Sequence, residues 1–367
     1  MSVVFSPFEF AGLRVGNRVV RSATCERMCP PDGQVTGDLV EFYRRLARGG
    51  TGLIVTGHAF VRADGRAGEG MMGVDSDDLV PGLQGLVKAV HEAGALVVCQ
   101  LNHAGRQTRP EVIGGRQPVA PSAVSDRATG ITPRELTPEE IEGLVESYVA
   151  AAEQCRRAGF DGVQLHCAHG YLMSQFISPY TNRRTDAWGG SLERRARFPL
   201  EVLRRIRRRL GRDFPVLVKL NAEDFLEGGL TLGESCCIAR MLEAEGIDAI
   251  EVSAGMAETA DKIVRTGIDT EEEEAYFLPQ VREFRPHVRV PLICVGGLRS
   301  RVVMERVVES GAADMVSLSR PLIREPDLPR RLEEGTSHRA KCVSCNRCTA
   351  DSRGWLACAL DLPGGAD

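Results

Sequence analysis

The stretch GVQLHCAHGYLMSQFISPYTNRRTDAWGGSLERRARF, Gly162–Phe198, decides how the chain reads. It starts as a short apolar strand through Val163 and Leu165, then presents His166, His169 and Tyr171 within six residues. A polar loop follows and leads into an arginine-rich amphipathic helix. A strand that ends by releasing two histidines and a tyrosine suits chemistry at a strand's C-terminal edge. The groups that complete such an edge must come from other strands.

Those strands recur along the chain. Short apolar, β-rich runs lie at 19–23, 52–56, 96–101, 162–166, 215–220, 249–252, 292–295 and 315–318. Helix-like segments lie between them at 38–48, 81–93, 138–158, 192–210, 233–245, 272–284, 301–310 and 324–334. The third helix carries its own start signal, with Thr137 as N-cap, Pro138 at the first helical position and Glu140 completing a capping box. Gly94, Gly159, Gly246 and Gly311 stand where helices end. Continuous apolar strands that alternate with helices predict a parallel sheet buried on both faces. Eight such units predict a (β/α)8 TIM barrel over residues 1–340. An open doubly wound sheet fits less well, because no G-x-G-x-x-G follows the first strand. Two regions fall outside the alternation. Residues 106–137 form a long Gly/Pro/Ser-rich loop of the kind that covers an active site. Residues 341–367 form a short cysteine-rich C-terminal tail.

Composition narrows the function classes. A net charge of −4 over 367 residues gives no reason to expect nucleic acid or an anionic membrane as partner. The basic run Arg204–Arg212 shares a predicted helix with Leu203, Ile206 and Leu210, and reads as a solvated face. No basic region followed by an apolar core opens the chain, and no apolar run reaches the ~18 residues of a membrane helix. Twelve cysteines without a secretory signal predict free thiols and a cytoplasmic location.

On a barrel, active-site groups come from the strand C-terminal ends. Here these are Thr24/Cys25, Gly57/His58, Gln100/His103, His166/His169/Tyr171, Lys219/Asn221, Ser253, Gly296/Gly297 and Ser319/Arg320. Glycines after the seventh strand and Ser-Arg after the eighth suit a phosphate, held by backbone N–H groups and a bidentate guanidinium. A plain glycine turn with a surface arginine is the alternative. Gln100 suits the donor–acceptor edge of a flavin, and Lys219 would stabilise an anionic reduced ring. Each could also serve a structural hydrogen bond. His166 and His169 admit three readings: metal ligands, satisfied core residues, or neutral donors to a substrate carbonyl oxygen. In the third, they stabilise the enolate formed when hydride reaches the β-carbon, and Tyr171 delivers a proton to the α-carbon.

The motifs GNRVVRSATCE (16–26), TGLIVTG (51–57), QLNHAGRQ (100–107), the HCAHGYL…RARF string (166–198), VKLNAEDF (218–225), VGG (295–297) and SRPLIREP (319–326) together span nearly the whole barrel. In this order they resemble the old yellow enzyme family of FMN-dependent NADH:flavin oxidoreductases and ene-reductases. The resemblance implies a barrel with one noncovalent FMN and NAD(P)H as hydride donor. It implies that Gln100 and Lys219 face the flavin and that Ala23, Thr24, Cys25 and Gly57 line its N5 edge. It also implies that His166 and His169 hold the substrate anion, that Tyr171 donates the proton, and that Gly296, Gly297, Ser319 and Arg320 bind the phosphate. Most relatives carry Arg at the Lys219 position. Cys25 falls where some members place a cysteine that tunes the flavin and others a threonine.

The tail motif CVSCNRC with Cys358 gives C-x2-C-x2-C-x9-C through Cys342, Cys345, Cys348 and Cys358. It resembles the [4Fe–4S] site of trimethylamine dehydrogenase and dienoyl-CoA reductase, although its fourth cysteine comes earlier. An iron–sulfur cluster, a zinc site and no metal at all remain open. The expected activity is transfer of hydride from NAD(P)H through FMN to the C=C bond of a small α,β-unsaturated carbonyl compound. Two other classes stand beside it: an oxidative amine dehydrogenase or demethylase, and a flavin/Fe–S subunit that relays electrons to or from a partner. A homo-oligomer is compatible with each.

Overall fold

The structure, a computed structural model, describes residues 2–362. Among these, eight parallel strands close into a barrel: β1 (Val19–Arg21), β2 (Leu53–Val55), β3 (Leu96–Asn102), β4 (Gly162–Cys167), β5 (Val216–Asn221), β6 (Ala249–Ser253), β7 (Leu292–Val295) and β8 (Met315–Leu318). Each pairs in parallel with the next, and β8 returns to β1 with Val316 opposite Val19. The expected (β/α)8 TIM barrel is therefore observed. Helices α1 (Gly37–Arg48), α2 (Val80–Glu92), α3 (Pro138–Ala158), α4 (Leu192–Leu210), α5 (Leu232–Ala244), α6 (Leu278–Phe284), α7 (Arg301–Glu309) and α8 (Leu328–Glu333) follow the strands in turn.

The local signals explain most of these boundaries. In α3 the Thr137 hydroxyl accepts from the Glu140 N–H at 3.2 Å, and the Glu140 carboxylate accepts from the Thr137 N–H at 2.9 Å. Gly159 ends the helix in the left-handed region at φ 89°. The apolar faces of the helices bury residues such as Leu144, Tyr148, Phe198 and Leu242 against the strands. Each fully buried side chain of this size contributes about 1.5–3 kcal/mol. The arginine run of α4, expected as a solvated face, is partly buried and tied to its neighbours, with Arg207 held by Asp248 and the Gly246 carbonyl. Arg205 meets Glu146 at 2.5 Å, Arg209 meets Glu153 at 2.6 Å and Arg204 meets Glu245 at 2.6 Å.

Most boundaries shift by one or two residues, and three regions depart further from expectation. The segment before α6 does not turn helical at residue 272 but at Leu278. Ala275, at φ 53°, bends the chain so that Tyr276 packs against the glycines after β7. The last helix starts at Leu328 rather than at residue 324, because Pro326 pushes Glu325 out of the helical region, to φ −132° and ψ 78°, and a separate short helix, Arg320–Arg324, precedes it. Within 106–137, Val119–Ala120 and Arg134–Glu135 form a small parallel pair.

An N-terminal hairpin, Phe8–Phe10 with Leu13–Val15, turns through Ala11 and Gly12, both with positive φ. Phe10 and Val15 cluster with Val20, Leu53, Val98, Leu217 and Ile293 inside the barrel. The hairpin thus plugs the end where the strands begin, and chemistry is left to the other end. In the tail, Cys348–Ala350 pairs antiparallel with Leu356–Cys358. Residues 363–367, the end of the expected tail, lie outside the described residues.

Candidate active site

The strand ends meet in a buried polar layer. The Gln100 amide donates to Gln164 Oε1 at 2.7 Å, and the Gln164 amide donates to Glu251 Oε2 at 3.0 Å. Glu251 Oε1 accepts from Ser22 Oγ at 2.8 Å and from Ser317 Oγ at 2.9 Å. Lys219 Nζ donates to Ser22 Oγ at 2.7 Å and lies 3.3 Å from Glu251. The register dictates this meeting, since Lys219 stands opposite Glu251 on one side and His166 on the other. Burial works against the Glu251 charge. The Lys219 ammonium and the three hydrogen bonds outweigh it and hold the carboxyl below its ordinary value.

Above this layer stands a group of rings. His166 lies 5.3 Å from His169, 4.9 Å from Tyr171 and 6.1 Å from His58 between ring centroids, and His58 lies 5.2 Å from Tyr171. His169 sits at φ 62° and its Nε2 is 2.7 Å from Ser253 Oγ. Its backbone is held from behind: its carbonyl accepts from the Gln107 amide at 2.8 Å. Arg106 beside Gln107 is fixed by a fully buried ion pair with Glu258 at 2.6 Å. His166 Nδ1 is buried without a partner. Such an atom is costly unless a ligand meets it. Burial lowers the pKa of all three histidines, to about 4 for His58 and about 3 for His169. His166 is also pushed well down, by burial first and then by His169, His58 and Lys219. They are therefore neutral near pH 7. Burial, with a smaller effect of Cys25, raises the Tyr171 pKa and keeps its hydroxyl protonated.

Two cavities open at this face. One, of about 120 Å³, is lined by Ala23, Lys219, His169, Gly296, Gly297, Ser319 and Arg320. Gly296 at φ 120° and Gly297 at φ 71° adopt backbone that favours glycine, and a Cβ on either would meet the Tyr276 ring within 3 Å. The other, of about 880 Å³, is lined by Cys25, His58 and Tyr171, and on its far side by Arg353 and Trp355 of the tail. Thr24 stands between the cavities, and its hydroxyl is 2.8 Å from Ser319 Oγ.

Most of the sequence-derived candidates thus converge on one face. Gln100 is buried in the polar layer and lines neither cavity. The Gly57 N–H is taken within the protein, by Tyr43 Oη at 2.8 Å and Glu26 Oε1 at 3.2 Å. Glu251, Gln164, Arg353 and Trp355 join the site without being among the sequence-derived candidates. An acid inside the apolar strand AIEVS was a legible signal for Glu251. Nothing local marks Arg353 or Trp355; the tail that carries them is fastened to the barrel face by the Leu356 N–H on the Glu26 carbonyl at 3.0 Å.

The four tail cysteines are free thiols, with Cys348 paired opposite Cys358 across the tail hairpin. Burial, with smaller contributions from the neighbouring cysteines, raises the Cys348 pKa to about 11. Among the described residues, no three or more His, Cys, Asp or Glu side chains are set as a metal site. Nor does any helix reach the length and apolarity needed to cross a membrane.

Residues 3–339 match the profile of the NADH:flavin oxidoreductase / NADH oxidase family. The chain is 40% identical to the NADH oxidase of Thermoanaerobacter brockii over 94% of its own length and 52% of that protein. It therefore spans about half the length of this curated relative. Among solved structures, a 2-naphthoyl-CoA reductase in complex with 2-naphthoyl-CoA superposes with a TM-score of 0.88 at 32% identity, over 94% of this chain and 54% of that one. An old yellow enzyme homologue from Zymomonas mobilis superposes with a TM-score of 0.78 at 27% identity, over 98% and 99% of the two chains. The barrel, its ring cluster and these likenesses agree: the chain belongs to the NADH:flavin oxidoreductase / NADH oxidase family, that of the old yellow enzymes.

Proposed function

We propose that this chain is an FMN-dependent reductase that uses NAD(P)H to reduce the activated C=C bond of an α,β-unsaturated carbonyl compound. The observation that carries the reading is the buried, unpartnered His166 Nδ1 beside His169 and Tyr171. The donor set suits FMN: a glycine pair with positive φ and Arg320 for the phosphate, and Lys219 for the electron-rich edge of the ring. Gly296, Gly297 and Arg320 would hold the phosphate in the small cavity, and Lys219 and Tyr171 would face the ring. When bound, FMN supplies a two-electron carrier that takes hydride from NAD(P)H and returns it to carbon.

The chain's own residues do the rest. His166 and His169, both neutral, donate hydrogen bonds to the substrate carbonyl oxygen and stabilise negative charge as it develops there. Ser253, on His169 Nε2, and the Gln107 amide, on the His169 carbonyl, fix that ring's direction. Tyr171 keeps its proton until a carbanion more basic than itself stands at the α-carbon, and then delivers it there. His58 and Cys25 line the open side, next to Tyr171.

The tail thiols are soft donors and suit a [4Fe–4S] cluster or zinc. Their arrangement falls short of a ligand set, so no electron step is assigned to them. Iron, zinc and acid-labile sulfide analysis of protein purified without oxygen separates cluster, zinc and bare thiols. The main test is anaerobic stopped-flow. Flavin bands that bleach with NADH or NADPH and return on addition of cyclohexenone or an acrylate ester are expected. Reduced protein that no enone or enoate reoxidises would sink the reading.

A further inference from the structure

We propose that Asn346, in the cysteine-rich tail, is a positioning residue for the flavin phosphate. It holds Arg320 at the mouth of the small cavity, so that retention of the nucleotide depends on the tail. This inference rests on the reading that Gly296, Gly297, Ser319 and Arg320 take the FMN phosphate.

Arg320 follows β8, and its Nη1 donates to three acceptors: the Arg265 carbonyl at 2.8 Å, the Ser344 carbonyl at 3.3 Å and the Asn346 side-chain oxygen. The Asn346 amide in turn donates to the Val264 carbonyl at 2.6 Å. Val264 and Ser344 line the same cavity as the glycine pair. One asparagine therefore ties the tail, the segment after β6 and the guanidinium into a single rim.

The backbone of the tail is shaped for this. Ser344 and Asn346 both have positive φ, at 54° and 56°. These left-handed residues turn the loop so that a carbonyl and an amide side chain meet Arg320. Asparagine tolerates that conformation better than most residues. Serine does so less readily, and Ser344 is nonetheless held there, only 2% exposed.

The acceptors are all neutral. Among the described residues, no carboxylate lies within ion-pair distance of Arg320. A carboxylate would fix the side chain equally well but would cancel its charge. Carbonyl and amide oxygens fix it and leave the charge for an anion. Holding a long, rotamer-rich side chain in place beforehand removes an ordering cost from binding. The cysteines on either side of Asn346 then gain a consequence for the flavin: whatever orders the tail also strengthens the hold on its phosphate.

The test compares FMN with riboflavin, which lacks the phosphate. Deflavinated full-length protein is titrated with each, and the dissociation constant is read from flavin fluorescence. Arg320→Ala sets the scale and is expected to weaken FMN by about 100-fold and riboflavin by less than about twofold. Asn346→Gly keeps a left-handed backbone open and removes only the side chain. It is expected to weaken FMN by about fivefold to tenfold with riboflavin unchanged. Asn346→Asp keeps an acceptor for Arg320 but adds the cancelling charge, and is expected to lose FMN selectively as well. Wild-type FMN affinity in both Asn346 variants would overturn the inference, as would an equal loss for the two flavins. If Arg320→Ala itself fails to distinguish FMN from riboflavin, the phosphate assignment falls, and the inference falls with it.

Discussion

The polar layer at the strand ends and the ring cluster above it adjoin through Lys219 and His166, which stand opposite each other in the sheet, yet they are built on opposite terms. In the layer, Glu251 meets Lys219, Ser22, Ser317 and Gln164, and its charge is fully answered. In the cluster, His166 keeps a buried nitrogen with no partner, and three histidines are held neutral. A fully satisfied network gives rigidity, and an unsatisfied one stores affinity for something else. The lower layer reads as a floor and the upper one as the place where a ligand belongs.

The sharpest way to break this contrast is Glu251→Ala. It strands the Lys219 ammonium in a buried site and should destabilise the fold by about 3–5 kcal/mol, read by urea denaturation. A loss under about 1 kcal/mol would mean that the layer is not a structural floor. Tyr171→Phe probes the other side. It should leave stability and flavin reduction by NAD(P)H as they are, and slow reoxidation by an enone about 100-fold or more in stopped-flow. Unchanged turnover would remove Tyr171 from its assigned role.

Acid sharpens the comparison further. An unfolded histidine takes up a proton below about pH 6.5, whereas folded His58 and His169 resist protonation until about 4 and about 3. Between those limits the unfolded state binds more protons, so stability is full above pH 6.5 and is lost as pH falls. Each such histidine contributes up to about 1.4 kcal/mol per pH unit. Thermal midpoints measured from pH 7 to 5 should drop, and His58→Gln should flatten the slope. A flat profile would show the rings to be solvated. The smallest effect serves as a control away from both regions. Thr137→Ala removes the α3 cap and should destabilise by about 1 kcal/mol, with flavin reduction and reoxidation unaltered.

The same contrast explains what could be read from the chain before its structure. The rings were legible because His166, His169 and Tyr171 are close in sequence, and the strands were legible because each is a continuous apolar run. The capping box at Thr137 and the glycine after α3 act over four residues and appear where expected. The floor was not legible as a unit. Its members Gln100, Gln164, Lys219, Glu251 and Ser317 come from five strands and Ser22 from the residue after a sixth, and only closure of the barrel makes them neighbours. Arg320 is an intermediate case. Its place after β8 follows from the chain order, but its three acceptors in the tail and the segment after β6 do not. The late start of α8 was written in Pro326, a residue that a helical pattern easily absorbs.

Closure itself has a consequence in time. The pairing of Val316 with Val19 joins the two ends of the barrel, so β1 must wait for β8 before its second edge is covered. At the usual pace of synthesis of about 5–20 residues per second, the ribosome needs roughly 15–60 s to make the intervening chain. During that interval β1 offers an open edge, and Glu251 lacks the Ser317 hydroxyl that helps to offset its burial. The nascent chain is therefore most exposed to misassociation just before β8 emerges, and a chaperone that shields that one strand edge would act where the fold is weakest.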